Sequence, residues 1–112
     1  MPTLVGARPI YSSLSEQPNT VMSGDYLEVE ADLAKVTDHT MVSVTFNGTT
    51  EYPLTRVGTS MTWRGTGTVP GGLTDGPQTG RVIVRHLGIR RELEFNYNVY
   101  GALFHEIRLR FR

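Results

Sequence analysis

The histidines are the first side chains to test for metal or acid–base chemistry, because neutral imidazole is a common metal ligand and titrates near neutral pH. The chain has three, and they are widely separated: His39, His86 and His105. A structural zinc site needs about four ligands, usually cysteines and histidines at short spacing. The chain has no cysteine. The sequence therefore predicts no metal site, and the histidines are interpreted as structural.

The serines near the N-terminus are the candidates for nucleophilic catalysis. Ser12, Ser13 and Ser15 occupy a polar stretch, and the Gly-x-Ser-x-Gly pattern of a nucleophile elbow does not occur. The lack of cysteine excludes a thiolate nucleophile. Residues 65–72, GTGTVPGG, are rich in glycine but lack the lysine of a phosphate-binding loop. We therefore predict that the chain is not an enzyme and holds no cofactor.

Acidic side chains recur at every second position in one stretch: Glu28, Glu30 and Asp32. Calcium takes several carboxylate and carbonyl oxygens. Same-face carboxylates on a strand lie roughly 7 Å apart, which is wide for one ion. No Asp-x-Asp-x-Asp loop is present, and Asp25 and Asp75 stand alone in predicted turns. A solvated acidic face paired with arginines is the favoured interpretation.

Two further patterns concern binding. Four tyrosines could form a stacking platform for carbohydrate: Tyr11, Tyr26, Tyr52 and Tyr100. At the C-terminus, arginines alternate with apolar residues, and we predict them as interaction residues: Arg108, Arg110 and Arg112. They could contact an anionic polymer. Alternatively, residues 102–112 form an extra strand that pairs with the sheet or with a second copy, or they begin a following domain.

Composition limits the class of protein. A chain of 112 residues fits one domain, which we place at residues 1–101, with residues 102–112 as an addition. The net charge is zero, although nine of the ten arginines fall in residues 51–112. A neutral total disfavours a nucleic-acid partner. No stretch is apolar for long enough to span a membrane, so no membrane insertion is expected. No signal peptide precedes the first predicted strand.

Alternation of apolar and polar residues predicts an all-β fold. In residues 27–33 the apolar side chains alternate strictly with acids. Apolar side chains also recur at every second position in two further strands: Val42, Val44 and Phe46 in residues 41–46, and Leu93, Phe95, Tyr97 and Val99 in residues 89–100. Asn47-Gly48 predicts a type I′ hairpin turn, Leu87-Gly88 another turn, and residues 70–80 a connection. Arg81 and Arg85 are expected to pair with acids across the last hairpin: Glu92 and Glu94. The total is seven or eight strands at regular spacing, the pattern of a β-sandwich.

Trp63 is predicted to be a core residue. It alternates with Met61, Gly65, Gly67 and Val69 on one face of a strand. The two glycines are expected to leave room for its ring.

Four segments together resemble a bacterial immunoglobulin-like domain of surface and secreted proteins: SGDYLEVEADL, VSVTFNGTTEYPL, MTWRGTGTVPGGLTDG and RVIVRHLGIRRELEFNYNV. The resemblance covers roughly Arg8 to Tyr100. It implies an immunoglobulin-like antiparallel sandwich, in which a tyrosine often ties the corner before the next-to-last strand. Gln78 and Thr79 occupy the matching positions here, so the corner must be held otherwise.

The resemblance also implies a use. Such modules usually serve as spacers, stalks or adhesive domains, which implies an extracellular or cell-surface location and neighbouring domains in the same polypeptide. The expected function is therefore a non-catalytic structural or adhesive module of a larger extracellular bacterial protein. Two alternatives are a carbohydrate-binding sandwich that uses surface tyrosine and arginine, and an assembly subunit that pairs through its C-terminal strand.

Overall fold

The computed structural model describes residues 4–12 and 20–100, with the side chains of residues 11, 12 and 100 excepted. Within these ranges the chain forms nine strands and no helix. They are β1 Leu4–Ser12, β2 Thr20–Met22, β3 Tyr26–Leu33, β4 Thr40–Thr45, β5 Glu51–Pro53, β6 Thr55–Arg56, β7 Thr62–Thr68, β8 Gly76–His86 and β9 Ile89–Tyr100. The predicted all-β class is confirmed. The count exceeds the predicted seven or eight because β2, β5 and β6 are short separate pieces.

The strands form two sheets. One has four strands in the order β1-β3-β7-β6, and the other has five in the order β2-β9-β8-β4-β5. All described pairs are antiparallel except β2 with β9, which is parallel. The chain changes sheets between β5 and β6 at Leu54, which is buried and whose N–H donates to the Val42 carbonyl.

A single hydrophobic core lies between the two sheets. The strict alternation of β3 places four side chains there, as predicted: Leu27, Val29, Ala31 and Leu33. The five-stranded sheet contributes valines from β4 and β8 and the aromatic side chains of Phe95 and Tyr97 from β9. Phe46 contacts Phe95 and Tyr97 edge to face, with ring centroids 6.2 and 5.6 Å apart. Two sheets packed on one core are the layers of a β-sandwich.

Trp63 lies in this core with 9% of its surface exposed, so its predicted position is confirmed. The predicted purpose of the two glycines after it is wrong. A Cβ on Gly65 would lie 2.6 Å from the Pro53 carbonyl oxygen. A Cβ on Gly67 would lie 2.6 Å from the Phe46 ring. Gly65 therefore leaves room for the backbone at Pro53, where the chain is about to cross between the sheets, and Gly67 leaves room for the ring of Phe46.

Two turns differ from the sequence expectation. The loop between β4 and β5 has five residues, 46–50, and Asn47 does not have the positive φ of a type I′ turn. Instead its side-chain oxygen accepts from the N–H groups of Thr49 and Thr50. The two-residue turn with both central φ values positive is Leu87-Gly88, at +49° and +85°. His86 and Ile89 are directly paired on either side of it, which is the type I′ arrangement.

Strand β8 begins at Gly76, five residues before the predicted start at Arg81. The preceding corner is held by Gln78, whose side-chain amide donates to the Thr74 carbonyl at 2.8 Å. Ser23 adds a second tie: its hydroxyl donates to the Pro70 carbonyl and accepts from the Leu73 N–H. These bonds hold the connection before β8, in which Gln78 and Thr79 stand where the resemblance implies a tyrosine.

Candidate interaction surface

The acidic stripe of β3 is held by arginines on the outer face of the four-stranded sheet. The strand register places Arg8, Glu30 and Arg64 side by side. Arg64 Nε donates to Glu30 at 2.6 Å, and Arg8 bonds both Glu30 and Asp32. The bond from Arg8, assisted by the Thr62 hydroxyl, lowers the pKa of Asp32 below its usual value. The predicted pairing with arginines is confirmed for Glu30 and Asp32, whose carboxylates make cross-strand contacts. No ion pair of Glu28 with an arginine occurs among the described residues.

The outer face of the five-stranded sheet has its own ion pairs. Arg81 lies 3.5 Å from Glu94 and 3.9 Å from Glu92, as predicted. The predicted pairing of Arg85 with either acid is wrong. The tight Leu87-Gly88 turn places Arg85 opposite another arginine, Arg90.

Arg85 instead bonds both carboxylate oxygens of Glu51 on β5, at 2.6 and 3.0 Å. The Ser43 hydroxyl also donates to Glu51, at 2.6 Å. The arginine and the hydroxyl together lower the pKa of Glu51 to about 2, because both bonds favour the charged carboxylate.

The histidines do not form a site in the part of the chain that the structure describes. The rings of His39 and His86 lie edge to face with centroids 6.4 Å apart. No group of three metal-ligating side chains occurs among the described residues. His105, Ser13 and Ser15 lie outside those residues, as do Arg108, Arg110 and Arg112 and the whole of the predicted extra segment 102–112.

The predicted tyrosine platform is not formed by its two described members. Tyr26 is 41% exposed on the four-stranded sheet, whereas Tyr52 points inward from β5 and packs beside Phe46 with centroids 6.3 Å apart. The two rings therefore belong to different faces of the molecule. The side chains of Tyr11 and Tyr100 lie outside the described residues.

A shallow depression of about 260 Å³ lies on the five-stranded sheet beside the β4–β5 loop. Its lining is mostly polar: Thr45, Phe46, Asn47, Gly48, Thr79, Arg81 and Glu94. The depression is slightly smaller than the roughly 300–1,000 Å³ of typical small-molecule pockets. Arg81 keeps hydrogen-bonding capacity there, since its contacts with the acids are at 3.5 Å or longer.

A second surface feature lies at one end of the sandwich. We call it the loop end: the β3–β4, β6–β7 and β8–β9 connections, residues 34–39, 57–61 and 87–88. The structure describes seven exposed large apolar side chains, and six of them lie at or beside this end: Val5, Met41, Val57, Met61, Leu87 and Ile89. Contiguous exposed apolar side chains are typical of interaction surfaces. Leu87 and Met41 are the most exposed, at 69% each.

The loop end is not apparent from the sequence pattern. The alternating pattern treats Met41 and Ile89 as ordinary strand residues, and the three connections that converge are separated in the chain by about 20 or more residues. One signal was present: leucine stands before Gly88, where a type I′ turn favours asparagine, aspartate or glycine.

Comparisons with protein-family models, with curated proteins and with solved structures found no match for this chain. None of the described residues belongs to a helix that is long and apolar enough to cross a membrane.

Proposed function

We propose that the chain is an immunoglobulin-like, non-catalytic module that serves a structural or adhesive role in a larger extracellular bacterial protein. The observation that supports this most is the strand order. In this proposal, the sheets β1-β3-β7-β6 and β2-β9-β8-β4-β5 are assigned to the strands A-B-E-D and A′-G-F-C-C′ of an extended immunoglobulin arrangement. Under this assignment, β1 in one sheet and β2 in the other are the two parts of a divided first strand.

The state of the charged side chains supports a structural role for both sheet faces. Glu30 is 8% exposed between two arginines, and Glu51 binds Arg85 through both oxygens. The more exposed of these pairs, Arg85 with Glu51, stabilises strand pairing modestly, by about 0.2–1 kcal/mol. A general acid or base would instead need a pKa near the working pH, whereas the pKa of Glu51 is lowered to about 2.

The terminal strands are arranged to resist a pulling force. Strand β1 starts at the loop end and β9 finishes at the opposite end, while β2 lies parallel to β9 with Val21 beside Val99. Tension applied between residues 4 and 100 loads the β1–β3 pairing first. After β1 separates, the tension would slide β2 along β9, so that the bonds between them break together. A spacer or stalk that holds other domains apart under load requires this resistance.

Single-molecule force spectroscopy of tandem copies tests the structural role. Val21→Ala removes a fully buried side chain from β2, and Val69→Ala removes an equally buried one before β8. Both variants lose similar equilibrium stability because the same two methyl groups are deleted. We expect only Val21→Ala to lower the unfolding force. Equal forces for both variants and the parent chain would contradict the proposed force-resisting pair.

A second candidate function is carbohydrate binding at the depression beside the β4–β5 loop. Arg81, Glu94 and Asn47 offer both donors and acceptors there, which suits sugar hydroxyls. A glycan array with the isolated chain tests this. Binding that is lost with Glu94→Gln and retained with Glu28→Gln, an acid on the other sheet, supports it. An array without reproducible binding rejects it.

A further inference from the structure

We propose that the loop end is a docking surface for an acidic protein segment that carries apolar side chains, with Leu87 as its anchor. The inference rests on the proposed module role, since it identifies the surface through which an adhesive module makes contact. Its starting point is the turn between β8 and β9.

Leucine at position 87 lowers the stability of the folded protein in two ways. It has φ +49°, and it is the one non-glycine residue with positive φ among those described. For a residue with a branched side chain this conformation is strained, whereas glycine and asparagine adopt it readily. Leu87 also leaves 69% of its surface in water. Neither property helps the fold, so a contact outside the chain is the physical reason for leucine at this position.

The other exposed apolar side chains at the loop end extend this contact. Ile89 follows the turn on β9, Met41 is the second residue of β4 and pairs with Arg85 of β8, and Met61 lies across the end beside Leu33. They come from both sheets, so the surface spans the end of the sandwich. Methionine adapts its shape to irregular partners, and it is common at binding surfaces for that reason.

The charges at the loop end indicate that its partner is acidic. Three cations have no carboxylate within ion-pair distance among the described residues: Lys35, Arg56 and Arg91. Arg56 donates only to the carbonyls of Ser60 and Thr59, which do not cancel its charge. Asp38 is the one acid in residues 34–41, 56–61 and 86–91. Asp32 and Glu92, which lie close to these ranges, are already paired with Arg8 and Arg90. An apolar surface with this excess of positive charge complements a partner that combines apolar side chains with carboxylates.

A protein segment fits this surface better than a lipid bilayer does. Loops that sit in a bilayer interface are enriched in tryptophan and tyrosine. The residues of the loop end and its borders, 34–41, 56–61 and 86–91, include no aromatic residue other than the two histidines. The turn also holds Leu87 in one backbone conformation, which lowers the entropic cost of binding to a shaped partner.

NMR titration of the ¹⁵N-labelled full chain tests the proposal with three synthetic peptides of equal length. They share the same leucine and phenylalanine positions, interleaved with glutamate, lysine or glutamine. We expect the glutamate peptide alone to give saturable shifts in the amides of residues 34–41, 57–61 and 86–91. Leu87→Asn should weaken that binding at least about tenfold. Tyr26→Asn, which removes an exposed ring at the opposite end, should leave the binding unchanged.

Three results would overturn the proposal: no shifts at the loop end with any peptide, equal binding of the lysine peptide, or affinity unaffected by Leu87→Asn. The same titration is repeated with vesicles of phosphatidylcholine and phosphatidylserine. Binding to the vesicles without binding to any peptide would show that the surface binds lipid, and it would reject a protein partner. Failure of the proposed function is a separate result, because it appears in the force measurement on Val21→Ala, which does not involve the loop end.

Discussion

Replacing Leu87 by asparagine should raise the free energy of unfolding. The turn holds Leu87 at φ +49°, and this left-handed conformation costs an ordinary residue about 1–2 kcal/mol. Asparagine avoids much of that cost because its short polar side chain bonds locally to the backbone. The side chain is 69% exposed, so little apolar burial is lost. The expected gain is about 1 kcal/mol, or about 4–8 °C in Tm for a domain of this size.

Urea unfolding followed by tryptophan fluorescence measures this change, since the single tryptophan, Trp63, lies in the core. Leu87→Ala is the matched control: it removes the same exposed apolar surface but has no polar side chain to bond locally to the backbone, so it keeps the cost of the positive φ. We expect Leu87→Ala to have nearly the stability of the parent chain. An equal gain in both variants would show that side-chain exposure matters and backbone strain does not. A loss in Leu87→Asn would refute the argument that leucine at this turn opposes folding.

Three further predictions concern the core and one ion pair. Gly67→Ala should destabilise the fold by about 1–3 kcal/mol, because a Cβ there would lie 2.6 Å from the ring of Phe46 and 2.7 Å from that of Tyr52. Tyr97→Phe should keep or raise stability, by up to about 1 kcal/mol, since a buried unpaired hydroxyl disfavours folding, and the Tyr97 hydroxyl has no hydrogen-bond partner among the described residues. The charge of Glu51 should stabilise the fold fully above about pH 4.5, and this contribution should be lost as the pH falls through about 2, because its pKa is lowered from 4.5 to about 2 in the fold. Glu51→Gln should therefore be less stable than the parent chain by about 0.2–1 kcal/mol at neutral pH, and the difference should shrink through about pH 2 and disappear below it.

Denaturant unfolding checks all three. A neutral Gly67→Ala would mean that the two sheets do not approach as closely as the structure shows. A loss of more than about 1 kcal/mol in Tyr97→Phe would mean that the hydroxyl has a partner. For Glu51→Gln, the difference from the parent chain must shrink as the pH falls. A difference that is constant between pH 6 and pH 2 would contradict the bond from Arg85 as its source.

The site was less predictable than the fold because its residues meet only through long-range contacts. The acidic stripe and its pairing with arginines followed from alternation and charge alone. The pairing of Arg85 did not, because it depends on strand register, and register depends on which turn is tight. Asn47-Gly48 had the stronger turn signal, yet the two-residue turn formed at Leu87-Gly88, where the long β8–β9 pairing outweighs the local preference for asparagine.

The sequence by itself determined the all-β class, the inward faces of β3, β4 and β9 and the place of Trp63 in the core. These depend on the period-two alternation of a strand, which is local and needs no partner to be recognised. Only the tertiary structure decided the strand order, the partners of Gly67 and Arg85, and the convergence of three distant connections at the loop end. Each of these depends on how two sheets pack together, and packing joins residues that the chain keeps far apart.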